Sequence, residues 1–486
     1  MWSVRRWSKE DLNREDPMIT TNDTICALAT APGVAGLAVI RVSGPQAFAI
    51  VDSLLEASTK ISDADSHRII YGKLRQAPSD DIPGHILDTV TCSVFRTPHS
   101  YTGEDVVEIG CHGGVIVPGM ILDQLYAAGA RCAGPGEFTK RAFLHGKLDL
   151  TQVESVADII HSSSEASARV AGRQLFGAFK KTVAETRARL IELCGLLELE
   201  LDFAQEDVEF VSRDKLRSLL QSALDFCVRT QNGFASSVVL RNGYTVALVG
   251  RPNVGKSMLY NNLLGFPRSL VHNREGTTRD YIQEAVVWNG LRIQLCDTAG
   301  LRVSDDEVEV EGMERGSMMV SNSHMVLVVN DGSAGLHNSD QLVDELRSRN
   351  PDTYIILVQN KWDQIQASDG GSVYPVEPPQ VGGVTTINIS AKTGYNIESL
   401  RDIIIREASE CADLTADVLL NERHMSVLTY TEQCLRLGMD ALNSGEYAEA
   451  IAFEIRHGID ALGALSGEKV SEEIINSVFA NFCIGK

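Results

Sequence analysis

The sequence predicts a multidomain chain: an α+β N-terminal domain, an all-α helical domain, and an α/β domain inserted into the helical one. Three observations predict it. The chain has 486 residues, about three domains at roughly 150 residues each. Its texture turns helical near Leu150, then near Tyr244 to short β-branched runs separated by helix-like segments. After about residue 408 it is helical again to its end. The two helical stretches are therefore expected to pack together, with the α/β domain between them in the chain.

In the first block, Leu37–Val42 reads as a strand after the Pro32-Gly33 turn, and Ala47–Leu55 as a helix. Strands are expected at Ile86–Phe95 and Gly103–Ile109, then a helix from about Val115 to Ala128. From Leu150, apolar residues recur at helical spacing: Val153, Val156, Ile159 and Ile160, then Leu190, Leu193, Leu197 and Leu201. The runs Thr245–Val249, Met325–Val329 and Tyr354–Val358 read as parallel strands. The expected boundaries are 18–146, 147–237, 238–408 and 409–486, preceded by an extension over 1–17. That extension holds Arg5 and Arg6 but also Glu10, Asp11, Glu15 and Asp16, which argues against a transit peptide. It reads as disordered, or as residues ahead of a true start at Met18.

The hydrophobic share is 44% and the charged share 22%, which excludes wholesale disorder and collagen. Lys and Arg total 44 against 65 Asp and Glu, a net charge of −21. A free-standing nucleic-acid binder carries the opposite footprint. Any attraction to RNA must come from a local patch or a basic partner. Ten scattered cysteines without a C-x-x-C pair exclude a zinc knuckle and a disulfide framework, and fit a reducing compartment. No apolar run approaches the roughly 18 residues that span a bilayer.

Gly250-Arg-Pro-Asn-Val-Gly255-Lys256-Ser257 fits G-x-x-x-x-G-K-[ST], follows a strand and opens an apolar helix. Backbone N–H groups there can face phosphate oxygens. Lys256 can reach the β- and γ-phosphates, and Ser257 offers a hydroxyl to Mg²⁺. Asp297-Thr298-Ala299-Gly300 ends an apolar run; its carboxylate can hold Mg²⁺ through water, and the Gly300 amide can sense a γ-phosphate. Asn360-Lys361-Trp362-Asp363 ends another. Asp363 can accept two N–H bonds from a guanine edge, which adenine does not offer. Ser390-Ala391-Lys392 supplies the loop behind the base. The order of these motifs predicts a P-loop (Ras-like) G domain that binds GTP and GDP. Gly276-Thr277-Thr278-Arg279-Asp280 lies where a switch segment supplies a second Mg²⁺ hydroxyl, and Thr278 is the candidate.

Leu301 follows Gly300 where Ras-like proteins use a water-orienting Gln. The acidic stretch Ser304-Asp305-Asp306-Glu307-Val308-Glu309 lies just downstream, and by spacing any of its four acids could position water. No arginine finger is evident in the sequence, so another cation or a partner must neutralise transition-state charge.

These residues resemble the MnmE (TrmE) family, GTPases that modify the wobble uridine of certain tRNAs. Beyond the G-domain motifs, the resemblance rests on Asp23-Thr-Ile with Ala-Thr-Ala-Pro-Gly, Tyr101-Thr-Gly-Glu-Asp-Val-Val-Glu-Ile, Pro135-Gly-Glu-Phe-Thr-Lys-Arg-Ala-Phe-Leu and the terminal Phe482-Cys-Ile-Gly-Lys486. It covers the chain from about Thr21 to Lys486.

The resemblance implies an N-terminal domain that binds 5,10-methylene- or 5-formyl-tetrahydrofolate and dimerises. Arg41, Glu108, Lys147 and Lys486 would contact the folate, cations on its carboxylates and the acid on pterin N–H donors. It implies GTP contacts from Asn253, Val254, Gly255, Lys256, Ser257 and Met258, and from His272, Asn273, Arg274, Glu275, Gly276, Thr277 and Thr278. Asn253 and the carbonyls of His272, Arg274 and Thr277 would hold K⁺ where an arginine finger would act. His272–Glu275 departs from the family's usual small and aliphatic residues. The catalytic glutamate falls on Glu309. Cys483 is read as a small buried residue beside the folate pocket.

The implied activity is potassium-stimulated GTP hydrolysis by a homodimer in the bacterial cytoplasm. With an MnmG-like FAD protein in a heterotetramer, it would install a (carboxymethyl)aminomethyl group at C5 of the wobble uridine, the partner holding most of the tRNA. The competing reading is a ribosome-assembly or regulatory switch of the Era or Der type. The tail from Arg406 to Lys486 holds 6 bases against 14 acids, which is no RNA-binding arm.

Overall fold

The computed structural model describes residues 23–76, 84–202, 212–265, 283–297, 320–321, 323–334, 340–349, 353–368, 380–381, 384–445, 447–468, 470–480 and 482–486. The chain divides into two compact units, Met1–Ala157 with Gly463–Lys486, and Asp158–Leu462. No helix among the described residues is long and apolar enough to cross a membrane.

The first unit is built on a seven-stranded sheet. Its strands are β1 (Ile25–Leu28), β2 (Leu37–Ser43), β3 (Leu55–Ala57), β4 (Arg68–Arg75), β5 (Ile86–Phe95), β6 (Val106–His112) and β7 (Arg131–Cys132). Their order is β3-β4-β5-β6-β2-β1-β7. All neighbours are antiparallel except β1 and β7. Alternation aims one face inward: Val90, Cys92 and Val94 of β5 are buried with Ile40, Val42 and Ile109. The helices Ala47–Leu54 and Ile116–Ala127 cover that face with Val51, Leu54, Ile121 and Leu125.

The strand expected from Gly103 starts instead at Val106. The reason is local. Gly103 has φ +81°, and the residues beside it turn toward β2: Ser43 Oγ lies 2.7 Å from Thr102 Oγ1 and donates to Glu104 Oε2 at 2.6 Å. The C-terminal tail belongs to this unit. Ile484 pairs with Pro135 in an antiparallel bridge, and the Gly136 N–H donates to the Cys483 carbonyl at 3.3 Å. Gly485 has φ +100°, and a Cβ there would stand 2.2 Å from the Leu28 carbonyl oxygen. Only glycine lets the tail run this close to β1.

The second unit carries another seven-stranded sheet: β8 (Tyr244–Val249), β9 (Gln283–Trp288), β10 (Leu291–Asp297), β11 (Met325–Asp331), β12 (Tyr354–Asn360), β13 (Gln380–Val381) and β14 (Val384–Asn388). The order is β13-β14-β12-β11-β8-β10-β9. The five inner strands are parallel, and the edge strands β9 and β13 run antiparallel. Their apolar runs, Val326 to Val329 and Ile356 to Val358 among them, are buried, as a sheet covered on both faces requires. β9 was not anticipated; its signal was the Asn289-Gly290 hairpin turn.

Helices Glu165–Leu175, Ala178–Asp202, Arg213–Asn232 and Phe234–Asn242 precede this sheet; Ile397–Cys411, Glu422–Ser444 and Ala448–Ser466 follow it. The two sets meet as expected. Gln231 donates to Glu432 at 3.0 Å, and Arg173 donates to the Ala416 carbonyl at 2.9 Å. Arg241 grips both carboxylate oxygens of Asp158 at 2.8 Å and donates to the Leu420 carbonyl at 2.9 Å. The helices and sheet share one core, in which Val170, Ala171 and Leu240 join Trp288 and Leu291.

Candidate functional site

The phosphate loop leaves the C-terminal end of β8, which lies between β10 and β11. Successive crossovers diverge there, and a doubly wound sheet opens its ligand crevice at such a point. The loop runs into the helix Lys256–Gly265. Asn253 has φ +63° and Gly255 φ +96°, so neighbouring amides turn toward one concavity. A Cβ on Gly255 would stand 2.3 Å from Asn360 Nδ2. Asn360 explains the close approach. Its Nδ2 donates to the Val254 carbonyl at 2.8 Å, and its Oδ1 accepts from the Ala391 N–H at 2.9 Å. One buried side chain thus ties the phosphate loop to the third motif.

Lys256 is buried, and its ammonium donates to the Gly250 and Arg251 carbonyls at 2.7 and 2.8 Å. Ser257 Oγ lies 3.2 Å from Asp297 Oδ2. A hydroxyl and a carboxylate at that spacing are the hard oxygen donors that suit Mg²⁺. Met258 is exposed in the first turn of the same helix.

On the far side, Ser390 donates to Asp363 Oδ1 at 2.7 Å and itself accepts from the Thr393 N–H at 3.2 Å. The Asp363 carboxylate is therefore held in place. Lys361, at φ +61°, donates to Asp331 Oδ2 at 2.6 Å. Burial acts to raise the Asp331 carboxyl, but bonds from Lys361 and Ser333 leave it below its ordinary value. Lys392 is exposed. The geometry brings together Asn253, Val254, Gly255, Lys256, Ser257, Asp297, Asn360, Asp363, Ser390 and Ala391. His272, Asn273, Arg274, Glu275, Gly276, Thr277, Thr278, Thr298, Ala299, Gly300 and Glu309 lie outside the described residues.

The first unit holds a second constellation. Arg41 and Glu108 are register partners on β2 and β6. The Arg41 Nε and Nη2 both donate to Glu108 Oε1, at 2.9 and 2.7 Å. The guanidinium lies 5.0 Å from the Tyr101 ring centre and 5.5 Å from that of Phe138. The Lys486 ammonium lies 6.0 Å from the same Tyr101 ring. Burial, then the charge of Arg41, pushes that ammonium below its ordinary pKa, with Glu108 opposing. Arg41 Nη1 is buried without a hydrogen-bond partner. A buried N–H that meets no acceptor is costly, and an anionic ligand would satisfy it. Lys147 is engaged elsewhere: its ammonium donates to the Pro98 carbonyl at 2.9 Å. Cys483 is exposed rather than buried, because the tail presents its backbone, not this side chain, to Gly136.

Two features escaped sequence reasoning. Tyr101 and Phe138 wall the Arg41 site, and the Tyr101 hydroxyl lies 2.8 Å from Thr139 Oγ1. Arg141 is fully buried and bonds Asp23, Glu104 and Glu137 at 2.5 to 3.0 Å. Arg131 bonds Asp23 and Glu137 at 2.7 and 2.6 Å. Burial alone would raise the Asp23 and Glu137 carboxyls, yet the arginines lower both. The two signature stretches around Tyr101 and Pro135 thus meet at one buried ionic knot.

The family model for the MnmE helical domain matches residues 150–483, and that for the GTP-binding protein TrmE N-terminus matches residues 24–147. The tRNA modification GTPase MnmE of Parabacteroides distasonis is 36% identical over 469 residues, 95% of this chain and 100% of that protein. That of Salinibacter ruber is 36% identical over 477 residues, 96% and 100% of the two chains. That of Chlorobium luteolum is 37% identical over 469 residues, 95% and 97%. With a P-loop at the switch point of its second sheet and relatives matched nearly end to end, the chain belongs to the MnmE family of tRNA modification GTPases.

Proposed function

We propose that this GTP hydrolase builds an aminomethyl-type group on C5 of a tRNA wobble uridine, using a tetrahydrofolate one-carbon unit and an FAD-containing partner of the MnmG type. The observation that carries the folate reading is the Arg41 site: a buried guanidinium with an unpartnered Nη1, an adjoining Glu108 carboxylate, a nearby ammonium and aromatic walls. Lys486 would bind a folate carboxylate, and Arg41 would contact the folate beside Glu108. Glu108 would accept from pterin N–H groups, and Tyr101 and Phe138 would exclude water and flank the ring. Bound 5,10-methylene- or 5-formyl-tetrahydrofolate would supply the carbon. Lys147 is proposed as a further folate contact.

In the G domain, Lys256 would turn from the loop carbonyls to phosphate oxygens, and Ser257 and Thr278 would hold Mg²⁺. Asp363 would read guanine, with Asn360, Lys361 and the Ser390-Ala391-Lys392 loop behind it. Asn253 and the carbonyls of His272, Arg274 and Thr277 would hold K⁺ beside the phosphates. Glu309 would orient the attacking water. Two chains would associate through their N-terminal domains, and their G domains would meet on GTP binding and part on hydrolysis. Deleting residues 483–486 tests the folate reading: 5-formyl-tetrahydrofolate affinity is expected to fall while GTP affinity stays. Unchanged folate affinity contradicts it.

A further inference from the structure

The net charge of −21 conceals one stretch of opposite sign. Residues 165–189 hold Arg169, Arg173, Lys180, Lys181, Arg187 and Arg189 against two acids, Glu185 and Glu165, the latter paired with Arg169 at 2.6 Å. They span the corner between the helices Glu165–Leu175 and Ala178–Asp202. Phe176 stands at this corner, 89% exposed. The corner is well ordered by its backbone. The Phe176 N–H donates to the Gly172 carbonyl, Gly177 to Gln174 and Lys181 to Gly177, each at 3.0 Å.

Two features of this corner work against fold stability. A phenyl ring held in water forgoes the stabilisation that burial provides. Lys180 and Lys181, both exposed, lie in the first turn of the long helix, which holds no acid. Cations there oppose the positive end of the helix dipole. Packing does not explain the exposed ring, and the two features coincide in space. A cationic surface around a presented aromatic ring is the pattern that binds unpaired nucleotides: lysines track phosphates and the ring stacks on a base. An acidic polypeptide would use the charges but would leave the ring without a stacking partner.

We infer that the Phe176 corner is an RNA-docking surface that takes an unpaired stretch of the tRNA substrate, an inference that rests on the tRNA-modification reading. This chain then holds part of the tRNA itself, locally, although its overall charge repels nucleic acid.

The test uses the full chain and fluorescence anisotropy with an unmodified tRNA at several salt concentrations. In the double variant Lys180→Gln, Lys181→Gln, affinity is expected to fall, and the slope of log affinity against log salt to drop by about 1.5, roughly 0.7–0.9 per phosphate contact. Phe176→Ala is expected to weaken binding about tenfold with its salt slope unchanged, as loss of one stacked base does. GTP hydrolysis without RNA should stay at the wild-type rate in both, which separates this inference from a failure of the GTPase reading. Wild-type affinity and slope in both variants overturn it. So does a corner that binds polyglutamate while tRNA affinity is unaffected by either variant.

Discussion

Asp363 is the residue on which we propose that base choice turns. Its carboxylate is fixed by Ser390 at 2.7 Å, so it is ready to accept two N–H bonds before any base arrives. Xanthine replaces the guanine amino group with a carbonyl oxygen. Asp363→Asn, which swaps one acceptor for a donor, is therefore expected to lower GTP affinity at least tenfold and to raise xanthosine triphosphate affinity. Competition binding of the two nucleotides checks this. At the proposed folate site, the lowered pKa of Lys486 sets a direction with pH. Its ammonium gives up its proton earlier than an ordinary lysine as pH rises. Affinity for an anionic folate should therefore decline on the alkaline side through that lowered value. Lys486→Gln should bind more weakly and lack this decline. Titration calorimetry across the alkaline range measures both.

At the scale of elements, the ionic knot joins the segment leading into β1, the turn before β6 and the helix Glu137–Leu144. Removing Arg141 leaves Asp23, Glu104 and Glu137 facing one another without their buried cation. Arg141→Ala is expected to destabilise the first unit by about 3–5 kcal/mol at neutral pH. The folded pKa values of Asp23 and Glu137 are lowered, so their stabilisation is present above the ordinary carboxylate range and is lost as pH falls through the folded values. The gap between wild type and Arg141→Ala should thus narrow in acid, as denaturant melts at two pH values would register. What was legible in the sequence follows the same scale. The phosphate loop could be read because its parts are contiguous: Gly250 to Ser257 form one strand-loop-helix passage. The Arg41 site could not be assembled from local pattern. Arg41 and Glu108 meet through strand register, and Lys486 arrives by a tail that returns to β1. Only the resemblance pointed to those positions, and it omitted the walls formed by Tyr101 and Phe138. The start of β6 was misjudged because the polar bonds of Thr102 and Glu104 to Ser43 override the strand propensity of the residues after Gly103.

At the scale of the whole molecule, two pieces of chemistry stand in two units: a guanine-nucleotide loop in one, an arginine–glutamate site in the other. Under the proposed function, both serve one reaction on tRNA. Exchanging K⁺ for Na⁺ is expected to slow GTP hydrolysis without weakening nucleotide binding, because the cation is asked to neutralise charge that develops only in the transition state. Equal steady-state rates in the two salts would contradict the potassium site. Mass analysis of wobble nucleosides in tRNA from a strain lacking this chain, complemented with the wild type, Arg41→Ala or Lys256→Ala, tests whether both pieces of chemistry serve that one reaction. The C5-modified uridine is expected to be absent without the chain, restored by the wild type, and restored by neither variant. A full complement of the modified nucleoside in the deletion strain, or in both variants, would contradict the proposed function.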